Sequence, residues 1–390
     1  MGRGPGRVVA SHLIARRAFV SALGFALISV GWSARVLVAG GSWWGPLHSF
    51  LAGTVLLAIS GASQMFTITW SATVPPSRTG VLSQRWLIIA GVASALVGVT
   101  YRVPLLVWIG GGATVAGVAL LGALIYGAIR RSLLRRFDLS SRFYLTAFAA
   151  GAVGITLGTM MGAGVVAGSW PTVRLVHVHL NVVGLVGLTI LGTIPTLLPT
   201  TAYNRAVSGR EARVAWWVAL LGTAAIGFGL WIPELVGAGT IAISVAGLLI
   251  LGGILFRLGK RGLHKLAFLQ ITVGTLWLIG WGLVNGIRVA DSGTMTMFSG
   301  WTGAVVVAGI GQVLVGSLAY LVPVLRGSPF VANREIMERR AWLPLVTLNA
   351  AGFLVGAGAL AWAAVPFLAW LADFAVRLVR VIAGRAPTEA

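Results

Sequence analysis

Residues 170–199, WPTVRLVHVHLNVVGLVGLTILGTIPTLLP, place two histidines in an otherwise apolar segment. An ionisable side chain inside a membrane helix is a functional hypothesis by default. His177 and His179 are two positions apart, so in a helix their side chains point about 200° away from each other. They can address two neighbouring sites but not one small site. We therefore expect this segment to form a wall shared by two sites.

An earlier segment, residues 46–75, repeats this pattern 131 positions upstream. A third copy, residues 301–323, keeps the C-terminal part of the pattern, because GSLAYLVP from Gly316 matches GTIPTLLP from Gly192. At the position of the histidine, however, this copy has Gly303. Repeats of this length predict a pseudo-symmetric fold of three sectors. The matched pairs of the first two copies are His48 with His179, Gly53 with Gly184, and Gly61 with Gly192.

The composition identifies an integral membrane protein. Apolar residues make up 57% of the 390 positions and charged residues 9%, whereas soluble domains carry about 25% charged residues. The mean hydropathy is +0.93. The absence of cysteine excludes disulfides, thiolate metal sites, covalent c-type haem attachment and cysteine nucleophiles. The net charge of +21 is spread over many short loops, as membrane orientation requires, so we expect no nucleic-acid partner.

Twelve apolar stretches approach the length of about 20 residues that crosses a bilayer. They predict an all-α integral membrane protein with twelve transmembrane helices, four to a sector, in one membrane domain over residues 1–390. The three pseudo-symmetric sectors cover residues 18–129, 143–257 and 266–385. The predicted spans are residues 18–40, 46–74, 86–101, 104–129, 143–168, 174–200, 214–232, 234–256, 266–287, 300–325, 341–362 and 364–380.

The distribution of positive charge predicts the orientation. With the N-terminus inside, all but four of the 29 lysine and arginine residues fall on the cytoplasmic side, as the positive-inside rule expects. We therefore predict a multi-pass cell-membrane protein with both termini cytoplasmic, its first 17 residues being a retained tail. The three membrane histidines then share one level in the outer half of the membrane. The four outer cations are Arg35, Arg102, Arg174 and Arg288.

His48 and His179 occupy equivalent positions on the second helices of adjacent sectors. Two imidazoles at one depth are what bis-imidazole ligation of a haem between two helices requires, and no thiolate is available. The sequence thus predicts haem b with His48 and His179 as metal ligands. The alternative is that each histidine only hydrogen-bonds a neighbouring helix.

His177 is predicted to face the next compartment, where a second haem or a copper ion could bind. Thioethers and imidazoles suit Cu(I), so methionines near the outer surface are possible co-ligands, although a methionine there is more often a packing residue. These methionines are Met160, Met161, Met295 and Met297.

Three further polar residues are predicted to support the cofactor. Arg35 and Arg174 lie close in sequence to the histidine-bearing helices and could pair with haem propionates, or simply extend to the membrane interface. Asn181 follows the histidine pair and could hydrogen-bond a ligand imidazole from the second shell.

Twelve helices in three sectors, with a histidine on the second helix near the outer face and an HxH pair, resemble subunit I of the haem-copper oxidase superfamily and its nitric oxide reductase branch. The motif HVHLNVVGLVGLTILGTIPTLLP is also similar to HxHLNxxG segments of NnrS-type haem and copper proteins, and of membrane modules that accompany cupredoxin-type copper nitrite reductases in actinobacteria. The resemblance covers the whole chain as architecture. As a motif it covers about 60 positions around His48 and residues 177–199.

The chain also departs from these families. The oxidases use six histidines and usually a tyrosine for two haems and a copper, whereas this chain has three membrane histidines and none in its third sector. Their HxH lies in the third sector, and here it lies in the second. The resemblance therefore implies a degenerate relative that keeps one haem, or one haem and one copper.

Two function classes follow. The first is a haem-binding membrane protein, with or without copper, of respiratory, nitrogen-oxide or copper metabolism. It would exchange electrons with an extracytoplasmic cupredoxin or cytochrome, or handle nitric oxide. The second is a cofactor-free channel, transporter or assembly factor that retains the fold.

Overall fold

The computed structural model describes residues 6–132, 138–204, 209–294 and 300–384. These residues form helices and no strand. In chain order the helices are α1 Arg7–Ala39, α2 Trp44–Trp70, α3 Arg78–Thr100, α4 Pro104–Arg130, α5 Asp138–Gly162, α6 Trp170–Thr201, α7 Arg210–Phe228, α8 Glu234–Leu258, α9 Leu266–Ser292, α10 Gly300–Arg326, α11 Phe330–Glu338, α12 Trp342–Gly356 and α13 Leu360–Ala383.

Nine of the helices in the described part of the chain are long and apolar enough to cross a membrane: α1 to α6 and α8 to α10. Their best windows have mean hydropathies between 1.5 and 2.3, because few charges interrupt them. The protein is therefore an all-α, multi-pass membrane protein. A helix is present at each of the twelve predicted spans, and α11 is an additional short helix that the sequence did not predict.

Three predicted spans correspond to helices outside this group of nine, for visible reasons. Helix α7 begins with the charged run REAR. Helix α12 has 15 residues, which at about 1.5 Å per residue falls short of a hydrocarbon core of about 30 Å. Helix α13 carries Asp373, Arg377 and Arg380 in its second half. These three helices differ from the others in length or charge and not in being helical.

Three of the spanning helices contain a π-helical segment. The segments are Ser49–Val55 in α2, Leu180–Gly187 in α6 and Val305–Gly311 in α10. The first two directly follow His48 and His179, and the third falls at the matching place in the third sequence repeat. Short π-helical segments inside α-helices are uncommon and occur frequently at functional sites. The sequence repeat is thus accompanied by a repeated backbone irregularity.

The chain divides into two compact units. The first comprises Met1–Gly192, Trp216–Ile243 and Gly286–Thr294, and the second comprises Thr193–Ala215, Ser244–Asn285 and Met295–Ala390. In the first unit, α3 and α4 approach closely through small residues: a Cβ on Gly98 would lie 2.7 Å from the backbone nitrogen of Val107. Close backbone approach of this kind is how helices associate in lipid.

In the second unit, arginines hold α11 in place. The Arg377 guanidinium donates to the carbonyl of Met337 at 2.9 Å and to Asp373 Oδ2 at 2.7 Å. Arg334 donates to Glu338 Oε1 at 2.8 Å and to the Thr201 carbonyl at 3.0 Å. Both arginines are buried, so their charges are balanced by these partners. Helix α11 is therefore part of the packed structure of its unit.

Candidate metal-binding histidines

His48 lies in the first turns of α2, immediately before the π-helical segment. Its Nδ1 is 2.8 Å from the Trp44 carbonyl oxygen, one turn earlier. The Trp44 indole stacks on the imidazole with ring centroids 4.4 Å apart. A carbonyl oxygen can only accept, so Nδ1 carries the proton and Nε2 keeps its lone pair. Nε2 is therefore the nitrogen that can bind a metal.

His177 is positioned by α5 as well as by its own helix. Its Nδ1 is 2.7 Å from the carbonyl oxygen of Gly154, so Nδ1 again donates and Nε2 keeps the lone pair. The Asn181 amide nitrogen donates to the His177 carbonyl at 2.8 Å and lies 3.3 Å from Nδ1. A Cβ on Gly158 would come within 2.5 Å of the imidazole Cε1. The ring thus occupies space that only a glycine leaves open.

The imidazoles of His48 and His177 lie together, with centroids 6.4 Å apart and planes 17° from parallel. An imidazole with bonds of about 1.33 Å has a radius of about 1.1 Å, and a metal lies about 2.0–2.1 Å from a bound imidazole nitrogen, so two imidazoles on opposite sides of one metal have centroids about 6.4 Å apart. The observed separation equals this value. The pair therefore matches two imidazoles that share one metal in centroid separation, with its rings nearly parallel.

His179 is fully buried in the same helix. Its Nδ1 is 2.8 Å from the carbonyl oxygen of Leu175, one turn earlier, which repeats the arrangement of His48 with Trp44. Both histidines also directly precede a π-helical segment. The two positions are thus equivalent in local structure, as the sequence repeat predicted, but the histidine ring that stacks against His48 is that of His177.

The structure places the three predicted supporting residues differently. Asn181 contacts His177, as described above. The Arg174 guanidinium lies 5.0 Å from the centre of the Trp170 ring, one turn before His177. Arg35 is exposed at the end of α1, and among the described residues no hydrogen bond or ion pair involves its side chain. Arg174 is therefore near the histidine pair along its own helix.

Two of the four predicted methionine co-ligands lie within the described residues. Met160 and Met161 are half-buried near the end of α5. Met295 and Met297 lie outside the described residues. Across the described ranges, no group of three or more histidine, aspartate, glutamate or cysteine side chains could hold a metal ion.

The donor set fits a haem better than a bare ion. A porphyrin supplies four nitrogens and leaves two axial positions, and imidazole is a common axial ligand. Two imidazoles with free Nε2 lone pairs at the axial spacing satisfy that requirement. Haem b also needs no cysteine, of which the chain has none. Copper bound between the same two imidazoles would need further ligands from elsewhere.

Sequence interpretation missed two features of this site. Glycines one turn apart, as Gly154 and Gly158 are, give the neighbouring His177 side chain access to a backbone carbonyl. Trp44 lies one turn before His48 and supplies the carbonyl that orients it. The spacing of four residues was the available signal in both cases.

No protein-family model matches the chain, and no curated protein is significantly similar to it. The fold and the histidine pair define a class: α-helical multi-pass membrane proteins that bring two imidazoles together near the ends of two spans.

Proposed function

We propose that this protein holds a haem b between His48 and His177 and transfers electrons at the membrane. The observation that carries the proposal is the spacing of the two imidazoles, 6.4 Å between centroids with nearly parallel planes. Each ring has its Nδ1 engaged by a backbone carbonyl. Hydrogen bonds of that kind fix the tautomer and orientation of metal-binding histidines.

A haem with this ligation would supply reversible one-electron chemistry. His48 and His177 would bind through Nε2, and their Nδ1–H groups would stay on the carbonyls of Trp44 and Gly154. Asn181 holds the backbone of α6 at His177 through its carbonyl. Because His48 and His177 would both be used to hold the haem, the chemistry it would supply is electron transfer, whereas nitric-oxide handling needs an open coordination position.

The proposed topology has twelve spans in three pseudo-symmetric sectors, with both termini cytoplasmic in the cell membrane. Helices at all twelve predicted positions and π-helical segments at matching places in α2, α6 and α10 support it. In this orientation the histidine pair lies toward the extracytoplasmic face. An extracytoplasmic cupredoxin or cytochrome is therefore the proposed redox partner. Arg174, one turn from His177, is the proposed cationic partner of a propionate.

The test is an absorption spectrum and a metal analysis of protein purified in mild detergent. We expect a Soret band, split visible bands on reduction, and one iron per chain. His48→Ala and His177→Ala should abolish the low-spin spectrum. His264→Ala is the matched control, because His264 is exposed.

His179→Ala distinguishes the two pairings. Retention of the low-spin spectrum in this variant supports His48 with His177. Its loss, together with retention in His177→Ala, would instead support the pairing of His48 with His179 that the sequence repeat predicts. Copper without haem would assign the same imidazoles to a copper site. Folded protein with neither haem nor metal would overturn the proposal in favour of a cofactor-free channel, transporter or assembly factor.

A further inference from the structure

The half of α2 that lies away from His48 carries a buried polar face. Ser60, Gln64, Thr67 and Ser71 recur at intervals of three or four residues, so their side chains lie along one side of the helix. All four are at most 2% exposed. At about 1.5 Å per residue they extend over about 16 Å, which is about half of a hydrocarbon core of 30 Å.

Gln84 of α3 joins this face. Its Oε1 accepts a hydrogen bond from Ser60 Oγ at 2.9 Å and another from Gln64 Nε2 at 3.2 Å. Gln64 Nε2 also lies 3.2 Å from the Ser60 carbonyl oxygen. Gln84 is fully buried. Two helices of the first unit therefore contribute to one polar column.

Many polar atoms of this column have no hydrogen-bond partner among the described residues. Two of these atoms belong to side-chain amides: Gln64 Oε1, which can only accept a hydrogen bond, and Gln84 Nε2, which can only donate one. The hydroxyls of Thr67, Ser71 and Thr73 are unpartnered as well. Buried polar groups are ordinarily hydrogen-bonded, to protein or to ordered water.

The chemistry of these atoms selects the ligand. A cation would be repelled by the Gln84 amide donor, and an anion would be repelled by the Gln64 carbonyl oxygen. Water both donates and accepts, and a buried water typically makes about three hydrogen bonds to groups of this kind. The hydroxyls can act in either role. Water is therefore the ligand that satisfies every unpartnered atom.

The column stops in the middle of the membrane. Leu56 and Leu57, one turn before Ser60 on the side toward His48, are buried and apolar. At the other end, Ser71 and Thr73 are buried, and Val74, the residue after Thr73, is 70% exposed. The surface therefore begins directly beyond the last residue of the column. The polar face thus has one end near the surface and one closed end.

We propose that Ser60, Gln64, Thr67, Ser71 and Gln84 form a water-filled half-channel that enters the protein at the Ser71–Thr73 end and ends at Ser60. It gives water, and protons carried by water, access to mid-membrane depth. It does not depend on a haem at the histidine pair, because it ends below Leu57 and shares no residue with that site.

The natural absence of cysteine allows a direct test by single-cysteine labelling. Ser60→Cys and Thr67→Cys place a thiol on the column. Met65→Cys and Ile68→Cys are matched controls on the same helix, at positions that are equally buried but apolar. The full-length variants are exposed in sealed membrane vesicles to a small charged methanethiosulfonate reagent, added to one side at a time. Size-exclusion chromatography and the melting temperature establish folding.

We expect the column thiols to react at least about tenfold faster than the controls, since the hydrated thiolate is the reacting species. The reaction should occur only from the side bearing Arg78, which follows the Thr73 end in sequence. In a Gln64→Leu/Gln84→Leu background, labelling of Ser60→Cys should slow to the control rate, while Ser71→Cys should keep its rate.

Labelling of the folded Ser60→Cys variant no faster than Met65→Cys would overturn the proposal. Faster labelling only from the opposite side would overturn it as well. Thr67→Cys carries the same test if Ser60→Cys does not fold, with the same two contrary outcomes.

Discussion

The imidazoles of His48 and His177 lie 6.4 Å apart between centroids although the residues belong to different helices. Each ring is positioned by a hydrogen bond that does not involve the other ring. Trp44 orients the first through a carbonyl of α2, and Gly154 orients the second through a carbonyl of α5. Two independently oriented rings at the separation of axial ligands are a preorganised pair.

Gly158→Ala should weaken cofactor binding at the histidine pair. A Cβ at this position would come within 2.5 Å of the His177 imidazole, so the ring must move. Displacing a ligand by way of a neighbouring residue typically costs about 10–100-fold in metal affinity. The readout is haem and iron content per chain after purification. Gly112→Ala is the control, because Gly112 has open space around it, and an equal loss in both variants would contradict the prediction.

Arg377→Met should destabilise the second unit. The guanidinium is buried and bonds Asp373 and the carbonyls of Ile336 and Met337. Removing one partner of a buried charge pair costs about 3–5 kcal/mol, and the lower end applies because Asp373 is partly exposed. A lower melting temperature in detergent is the expected result. Arg380→Met, at an exposed position of the same helix, should leave it nearly unchanged. Equal melting temperatures for the two variants would exclude a structural role for Arg377.

Reporter fusions should place both termini in the cytoplasm. Fusions after Gly168 and after Asp291 should report the outer side, and a fusion after Ser208 should report the inner side. The reason is the concentration of lysine and arginine in the alternate loops, which the positive-inside rule assigns to the cytoplasm. At each site, one reporter that is active only outside the cytoplasm and one that is active only inside it serve as reciprocal controls. A reversed signal at any of the three sites would place the histidine pair at the other face.

The isolated protein should not consume oxygen above background when given an artificial electron donor. Four-electron reduction needs a second metal beside an open haem. In the described part of the chain, no group of three histidine or carboxylate side chains is available to hold one. An oxygen electrode measures the rate, with detergent and donor alone as the blank. Cyanide-sensitive uptake by the pure chain would show that further ligands exist.

Much of the fold could be predicted from the sequence because its signals are local. Long apolar runs in a chain with few charges predict membrane helices. Helices are present at all twelve predicted positions, and nine of the described helices are long and apolar enough to cross a membrane. The repeat of His48 with His179 also has a local counterpart. Both rings bond the carbonyl one turn earlier, and both precede a π-helical segment. Neighbouring residues of the same helix determine each of these features.

The partner of His48 could not be predicted in this way, because it depends on how α6 is rotated about its axis. His177 and His179 point about 200° apart, so that rotation decides which of them reaches α2. Contacts of α6 with α5, at Gly154 and Gly158, fix it. Equivalent positions of a sequence repeat share a local environment, but their side chains need not face each other. The sequence by itself determined the helices and the three histidines, and the tertiary structure decided that His177 meets His48.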